Sequence, residues 1–227
     1  MKRIVRTGGK TIEYTLIQTV RRDILIQALE GGLTRVYAPK SARLRDIDAL
    51  VRENTEKIEA MSESLKPAPL KNGDAVRIEG VPRMVEIVKG PDKVALTDDK
   101  LIISTADTEN ADRIRAQALK FLSAMALSRI RGRIEHYQPL TGGTVNRVTV
   151  RAQRSRWGSC SSKNNLNFNW KLILAPPQCL DYVVIHELCH LSEFNHSPRF
   201  WGLVEAQMRD YKIWKDWLKI NGKALTI

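Results

Sequence analysis

Cysteine and histidine are both scarce in this chain of 227 residues. Cys160, Cys179 and Cys189 are odd in number and none stands in a Cys-x-x-Cys pair, so neither a disulfide framework nor a cysteine-ligated zinc is suggested. No apolar run approaches the ~20 residues that cross a bilayer. The start Met1-Lys2-Arg3-Ile4-Val5-Arg6 lacks the apolar segment of a secretory signal. A cytoplasmic protein without a membrane partner is therefore expected. Internal repeats and low-complexity tracts are absent from the sequence. Acids are sparse in one region: residues 113–163 carry eleven Lys and Arg against Glu135 and the flanking Asp112, within a net charge of +12. Such an excess suits an anionic partner, nucleic acid or a phosphorylated small molecule, and equally a solvated basic face.

With 43% hydrophobic residues, the chain can bury a core as one large domain or two small ones. Strands are expected at 12–17, 24–29 and 33–37, the last two joined through Glu30-Gly31-Gly32. An amphipathic helix is expected at about 44–64, closed by Pro67-Ala68-Pro69. Short strands follow at 75–78, 84–88, 94–96 and 101–103. The longest helical pattern runs from 108 to 137, with Asp107 or Thr108 able to cap it and Pro139 with Gly142-Gly143 breaking the chain after it. Residues 147–153 and 166–170 alternate as half-buried strands, Leu166, Phe168 and Trp170 facing the core and the asparagines the other side. Helical spacing in the tail, from Phe200 to Leu218, predicts two helices behind the one before them.

That preceding helix carries the chemistry. Three of the four histidines fall within His186-Glu187-Leu188-Cys189-His190-Leu191-Ser192-Glu193-Phe194-Asn195-His196. Residues four apart share a helix face, so His186 and His190 can offer nitrogens to one cation, with Glu187 beside them. His196 is the natural third ligand, since a catalytic zinc takes three protein ligands and leaves one position open. Glu187 then serves as acid and base. Glu193 could stand behind a histidine as its partner or be a solvated helix-end acid; Glu205 is a weaker candidate ligand, and Cys189 reads as a small buried packing residue.

Several separated segments resemble one family: Arg154-Ser155-Arg156-Trp157-Gly158-Ser159-Cys160, Leu172 with Ala175-Pro176, Asp181-Tyr182-Val183-Val184, the His-Glu-Leu-Cys-His core, and Asn195-His196-Ser197 with Phe200-Trp201. They are similar to the YgjP-like metal-dependent hydrolases, relatives of the WLM and SprT-type minimal zinc peptidases. The resemblance is closest over about 150–220. It implies an α+β fold in which a zincin-like, minigluzincin-type catalytic domain (106–227) follows a β-rich N-terminal extension (1–105). It also implies Zn2+ held by His186, His190 and His196, with Glu187 catalytic.

Around this site Arg154, Arg156, Trp157, Lys163, Asn167 and Asn169 are the candidate substrate-binding residues. On a peptidase reading, the strand region 153–169 pairs with an extended peptide. On a phosphate reading, the cations Arg154, Arg156 and Lys163 grip oxygens while Asn165, Asn167 and Asn169 read a base or sugar. A third reading has Trp157 and Cys160 packing, Gly158 turning and the cations solvated. The leading function is a zinc metallopeptidase. The alternatives are a nucleotide phosphohydrolase of the nucleoside triphosphate pyrophosphatase type on the same site, and a nucleic-acid-binding module with a structural zinc. Glu187 speaks against the last, because a structural site needs no carboxylate beside its histidines.

Overall fold

The first strands turn on a pair of glycines. In the computed structural model, which describes residues 1–29, 33–64, 68–153 and 155–227, Gly8 and Gly9 have φ of 53° and 78°. Two residues at positive φ make the type I′ turn, whose twist matches that of the paired strands. They join β1 (Lys2–Thr7) to β2 (Lys10–Thr19) antiparallel, and β3 (Leu25–Ala28) and β4 (Thr34–Pro39) complete a sheet of order β1-β2-β4-β3 with β2 and β4 parallel. No strand is expected at β1, since Val5 is its one fully buried side chain and charges surround it. The expected turn at Glu30-Gly31-Gly32 and the start of the Pro67 connector lie outside the described residues.

The single helix expected at 44–64 is two, α1 (Leu44–Glu53) and α2 (Thr55–Ser64). Asn54 leaves helical geometry between them, and its Nδ2 donates back to the Leu50 carbonyl at 2.8 Å. Ile47, Val51 and Ile58 thereby reach the sheet residues Val5, Tyr14, Leu16 and Val36. Asp48 of α1 accepts from Arg3 Nη2 at 2.5 Å and from the Tyr14 hydroxyl at 2.6 Å. The Arg3 guanidinium holds this carboxyl below its usual range. These elements belong to the compact unit Met1–Ala68.

The second unit, Pro69–Ile227, opens on the same strand connectivity. β5 (Ala75–Ile78), β6 (Val81–Lys89), β7 (Lys93–Leu96) and β8 (Lys100–Thr105) form a sheet of order β5-β6-β8-β7 with β6 and β8 parallel. Its first hairpin repeats the turn as well, Glu79 and Gly80 having φ of 53° and 79°. The sequence shows no repeat, yet the topology is repeated strand for strand. The expected division at 105/106 falls inside this unit: Val76, Ile78, Val85, Leu101 and Ile103 join one buried core with Ile114, Ala118 and Leu122 of the following helix.

That helix, α3 (Ala111–Thr141), has 31 residues and is roughly 46 Å long. Its N-cap is Asn110, whose side chain accepts from Arg113 N at 3.0 Å, in place of the expected Asp107 or Thr108. It also runs through Pro139 and stops at Gly142, φ 74°. Pro139 forgoes one main-chain hydrogen bond and crowds the carbonyl of Glu135 a turn before it, but only two helical residues follow, so a bend there displaces little. Ile114, Ala118, Leu122, Ala126, Ile130 and Ile134 make one buried stripe.

Against α3 pack a 3₁₀ helix, Trp170–Leu174, and α4 (Pro177–Cys189). Pro177 opens α4 at its first turn, where a missing N–H costs nothing. Nine of its side chains are buried, as befits a helix enclosed on nearly all sides. The two tail helices are present as α5 (Pro198–Gln207) and α6 (Tyr211–Asn221), both against α4. A small mixed sheet of β9 (Arg147–Arg151), β10 (Gly158–Cys160) and β11 (Asn165–Asn169), in the order β10-β11-β9, completes an α+β unit. Among the described residues no helix is long and apolar enough to cross a membrane.

Candidate metal centre

α4 delivers His186 and Glu187 in its last turn and ends with His190 as its C-cap. Ser197 then caps α5, its hydroxyl accepting from Phe200 N at 3.3 Å, and this folds His196 back over the end of α4. The three imidazoles form a nearly equilateral group with centroid separations of 4.9, 5.0 and 4.8 Å. Fully buried Phe200 is the floor beneath them, 4.9, 4.5 and 4.8 Å from the three rings. Trp201 stacks on His196 at 5.6 Å and 24°, and Tyr211 stacks on Trp201 at 5.4 Å.

These nitrogens suit a metal. His190 Nδ1 lies 2.9 Å from the Glu193 carbonyl. A carbonyl can only accept, so Nδ1 carries the hydrogen and Nε2 keeps its lone pair. His186 Nε2 and His196 Nε2 stand 3.1 Å apart; two nitrogens about 2.05 Å from a tetrahedral zinc would stand about 3.3 Å apart. One potential ligand atom from each of the three residues lies within 4.8 Å of the others. Burial and the neighbouring histidines push His186 down to about 3, and burial with His190 and Lys215 lowers His196. The rings of His186 and His196 are thus kept neutral, as ligands must be.

Glu187 is 4% exposed and its Oε2 is buried with no hydrogen-bond partner among the described residues. An orphaned carboxyl oxygen in such a place costs free energy unless something binds there. Burial raises the carboxyl to about 8, against the pull of Arg156. Its other face meets Gly158 of β10: a Cβ on that residue would lie 2.5 Å from Glu187 Oε1. The strand's main chain can approach the carboxyl only because the side chain is absent.

A profile of the YgjP-like metallopeptidase domain matches residues 22–221. The chain belongs to the YgjP-like metallopeptidase family. No curated protein and no solved structure matches it. A metallopeptidase family implies a divalent metal, typically zinc, and the three-histidine group is the part of this YgjP-like chain whose donor set fits one.

The other expected site residues of this YgjP-like domain are scattered. Arg156 is exposed and near enough for its charge to act on Glu187. Arg154 lies outside the described residues. Trp157 packs its indole against Gly222 and so backs the Gly158 contact. Lys163 is exposed in the turn between β10 and β11. Asn167 pairs with Ser159 and Thr149, on the sheet face opposite Gly158 and Phe168, and accepts from the Thr149 hydroxyl. Asn169 is buried, its amide donating to the Gln153 carbonyl at 2.8 Å and the Arg156 carbonyl at 3.3 Å. Neither asparagine joins the histidines. Glu193 serves His190 through its main-chain carbonyl, while its carboxylate pairs with Arg199 Nε at 3.0 Å. Glu205 is exposed on α5, and Cys189 is fully buried.

Phe200 as floor, Trp201 as a ring support and Gly158 as the seat of Glu187 were not among the expected site residues. Phe200 and Trp201 had a signal, being within the segments that carry the family resemblance. Gly158 had the same signal, lying in the first of those segments, but nothing in the sequence ties it to Glu187.

Proposed function

We propose that this protein is a cytosolic zinc metallopeptidase of the zincin-like, minigluzincin type. The observation that carries the reading is Glu187, a buried carboxyl with an unpartnered oxygen, next in sequence to His186 and seated on β10. His186, His190 and His196 are the residues that would hold the metal. A divalent cation bound there supplies Lewis acidity, polarising a carbonyl oxygen and easing the ionisation of water. Glu187 takes the proton from the attacking water and hands it to the departing amine nitrogen, a role open to a carboxyl beside His186 whose Oε2 has no other hydrogen-bond partner among the described residues. β10 is an edge strand of its sheet, so an extended peptide can add to its free side by main-chain hydrogen bonds, next to Glu187.

One observation favours a second reading. Exposed Arg156 makes no ion pair among the described residues and acts electrostatically on Glu187, an arrangement that would also suit a nucleotide's phosphoanhydride. The test is mass spectrometry of products after zinc-loaded protein and its Glu187→Gln variant meet a pool of peptides and nucleoside triphosphates. Glu187-dependent peptide fragments are expected, with zinc content equal in both proteins. Glu187-dependent nucleotide products would establish the second reading, and equal products from both proteins would remove Glu187 from the chemistry.

A further inference from the structure

Residues 136–180 contain no Asp or Glu, although six Lys and Arg lie among them. The basic run 113–163 therefore has two halves of different character. On α3 four of the five arginines are answered, Arg131 being exposed without an ion pair among the described residues. Arg113 pairs with Asp92 at 2.7 Å, Arg129 with Glu79 at 2.7 Å and Arg133 with Asp181 at 2.5 Å, and Arg115 donates to the Ile227 carbonyl. Their charge is spent on fold contacts.

The small sheet is different. Its pairing register sets Arg147 beside Asn165, Thr149 beside Asn167 and Arg151 beside Asn169, while Ser159 stands beside Asn167 from the other strand. Strand alternation puts these on the face away from the core, because Val148, Val150, Leu166 and Phe168 pack into it, although Asn169 at its end is buried and its amide is taken by the Gln153 and Arg156 carbonyls. Arg147 and Arg151 are exposed, four residues and roughly 13 Å apart along β9. Lys163 is exposed in the adjoining turn. Among the described residues none of these three cations has an ion pair, and the polar groups between them are short hydroxyls and amides. A face with cations at its margins, hydrogen-bonding groups between and no acid is complementary to a chain of phosphates.

We infer that the outward face of the β9–β10–β11 sheet binds the phosphodiester backbone of nucleic acid, through Arg147, Arg151 and Lys163. Contacts are made to phosphates, without base recognition, so binding is sequence-independent and governed by salt. This inference is independent of what Glu187 hydrolyses.

The experiment is fluorescence anisotropy of labelled oligothymidylate and oligouridylate titrated with the full-length, zinc-loaded protein between 50 and 200 mM salt. Three phosphate contacts to a single strand predict an affinity loss of about twentyfold over that range, and Arg147→Ala/Arg151→Ala should reduce it to about threefold. Arg113→Ala/Arg129→Ala, which removes paired cations, should leave the salt dependence unchanged. Binding of either oligomer with this pattern supports the inference, and the two arms tell DNA from RNA preference. No binding at 50 mM salt, an unaltered slope in the β9 variant, or an equal loss in the α3 variant would overturn it and leave a merely solvated basic face.

Discussion

Replacing Gly158 with Ala tests how Glu187 is positioned. The added Cβ would lie 2.5 Å from Oε1, 2.7 Å from Cγ and 2.8 Å from Cδ of Glu187, where carbon contacts settle at about 3.5–4.0 Å. One partner must therefore move by about 1 Å. β10 cannot easily retreat, since it is hydrogen-bonded to β11 and Trp157 beside it rests on Gly222. Glu187, 4% exposed on a buried helix, gives way instead. A shift of that size in a reacting group costs on the order of 100-fold in turnover, and the overpacking costs about 1–3 kcal/mol of stability. The imidazoles are not touched, so zinc stoichiometry should stay at the wild-type value. Turnover on a peptide substrate, zinc content and a thermal melt of the same samples measure the three quantities. A folded Gly158→Ala protein with wild-type turnover would refute the seating of Glu187 on β10.

Other substitutions probe separate links. Gly132→Ala lies in the interior of α3 with nothing within 4 Å of the new methyl, so it should stabilise by about 1 kcal/mol and raise the melting temperature by a few degrees; no rise would mean the site is more constrained than its surroundings show. Trp201→Ala removes the ring stacked on His196 and should weaken zinc binding about 10–100-fold in a competition titration with a chromophoric chelator, whereas unchanged affinity would assign the ring to packing alone. Asp48 is held below its usual range by Arg3, so its contribution is present above a pH of about 3.8 and lost as pH falls through its lowered folded-state value. Asp48→Asn should accordingly increase hydrogen exchange in β1 and β2 at pH 7, with the gap to wild type narrowing as pH falls below 3.8, after correction for intrinsic rates. A gap that persists in acid would contradict that pairing.

Much of the site was legible because helical spacing is local information. His186 and His190 share a face whatever surrounds the helix, and the proline at 177 marks its start. The misses share a cause too. Whether Asn54 interrupts a helix and whether Asn110 or Thr108 caps one turn on differences of about 1 kcal/mol, and whether Pro139 ends one on about 3 kcal/mol, all of which packing can reverse. The asparagines of β11 show the other limit. Alternation placed them off the core face, but only the pairing of Gly158 with Phe168 reveals that Glu187 lies on the opposite side from Asn167.

The sequence by itself determined the three-histidine group with its glutamate, the apolar faces of α3 and α4, and the surplus of positive charge, because each follows from residue type and short-range period. Tertiary structure alone decided which of those charges are spent. It pairs Arg113, Arg129 and Arg133 with acids remote in sequence and leaves Arg147 and Arg151 in solvent. It likewise seats Glu187 on Gly158, repeats one four-strand topology in two units without a sequence repeat, and puts Phe200 under all three imidazoles. The physical reason is the same in each case: a contact between residues distant along the chain depends on how whole elements pack, and that is settled by the summed burial of many side chains rather than by the pair itself.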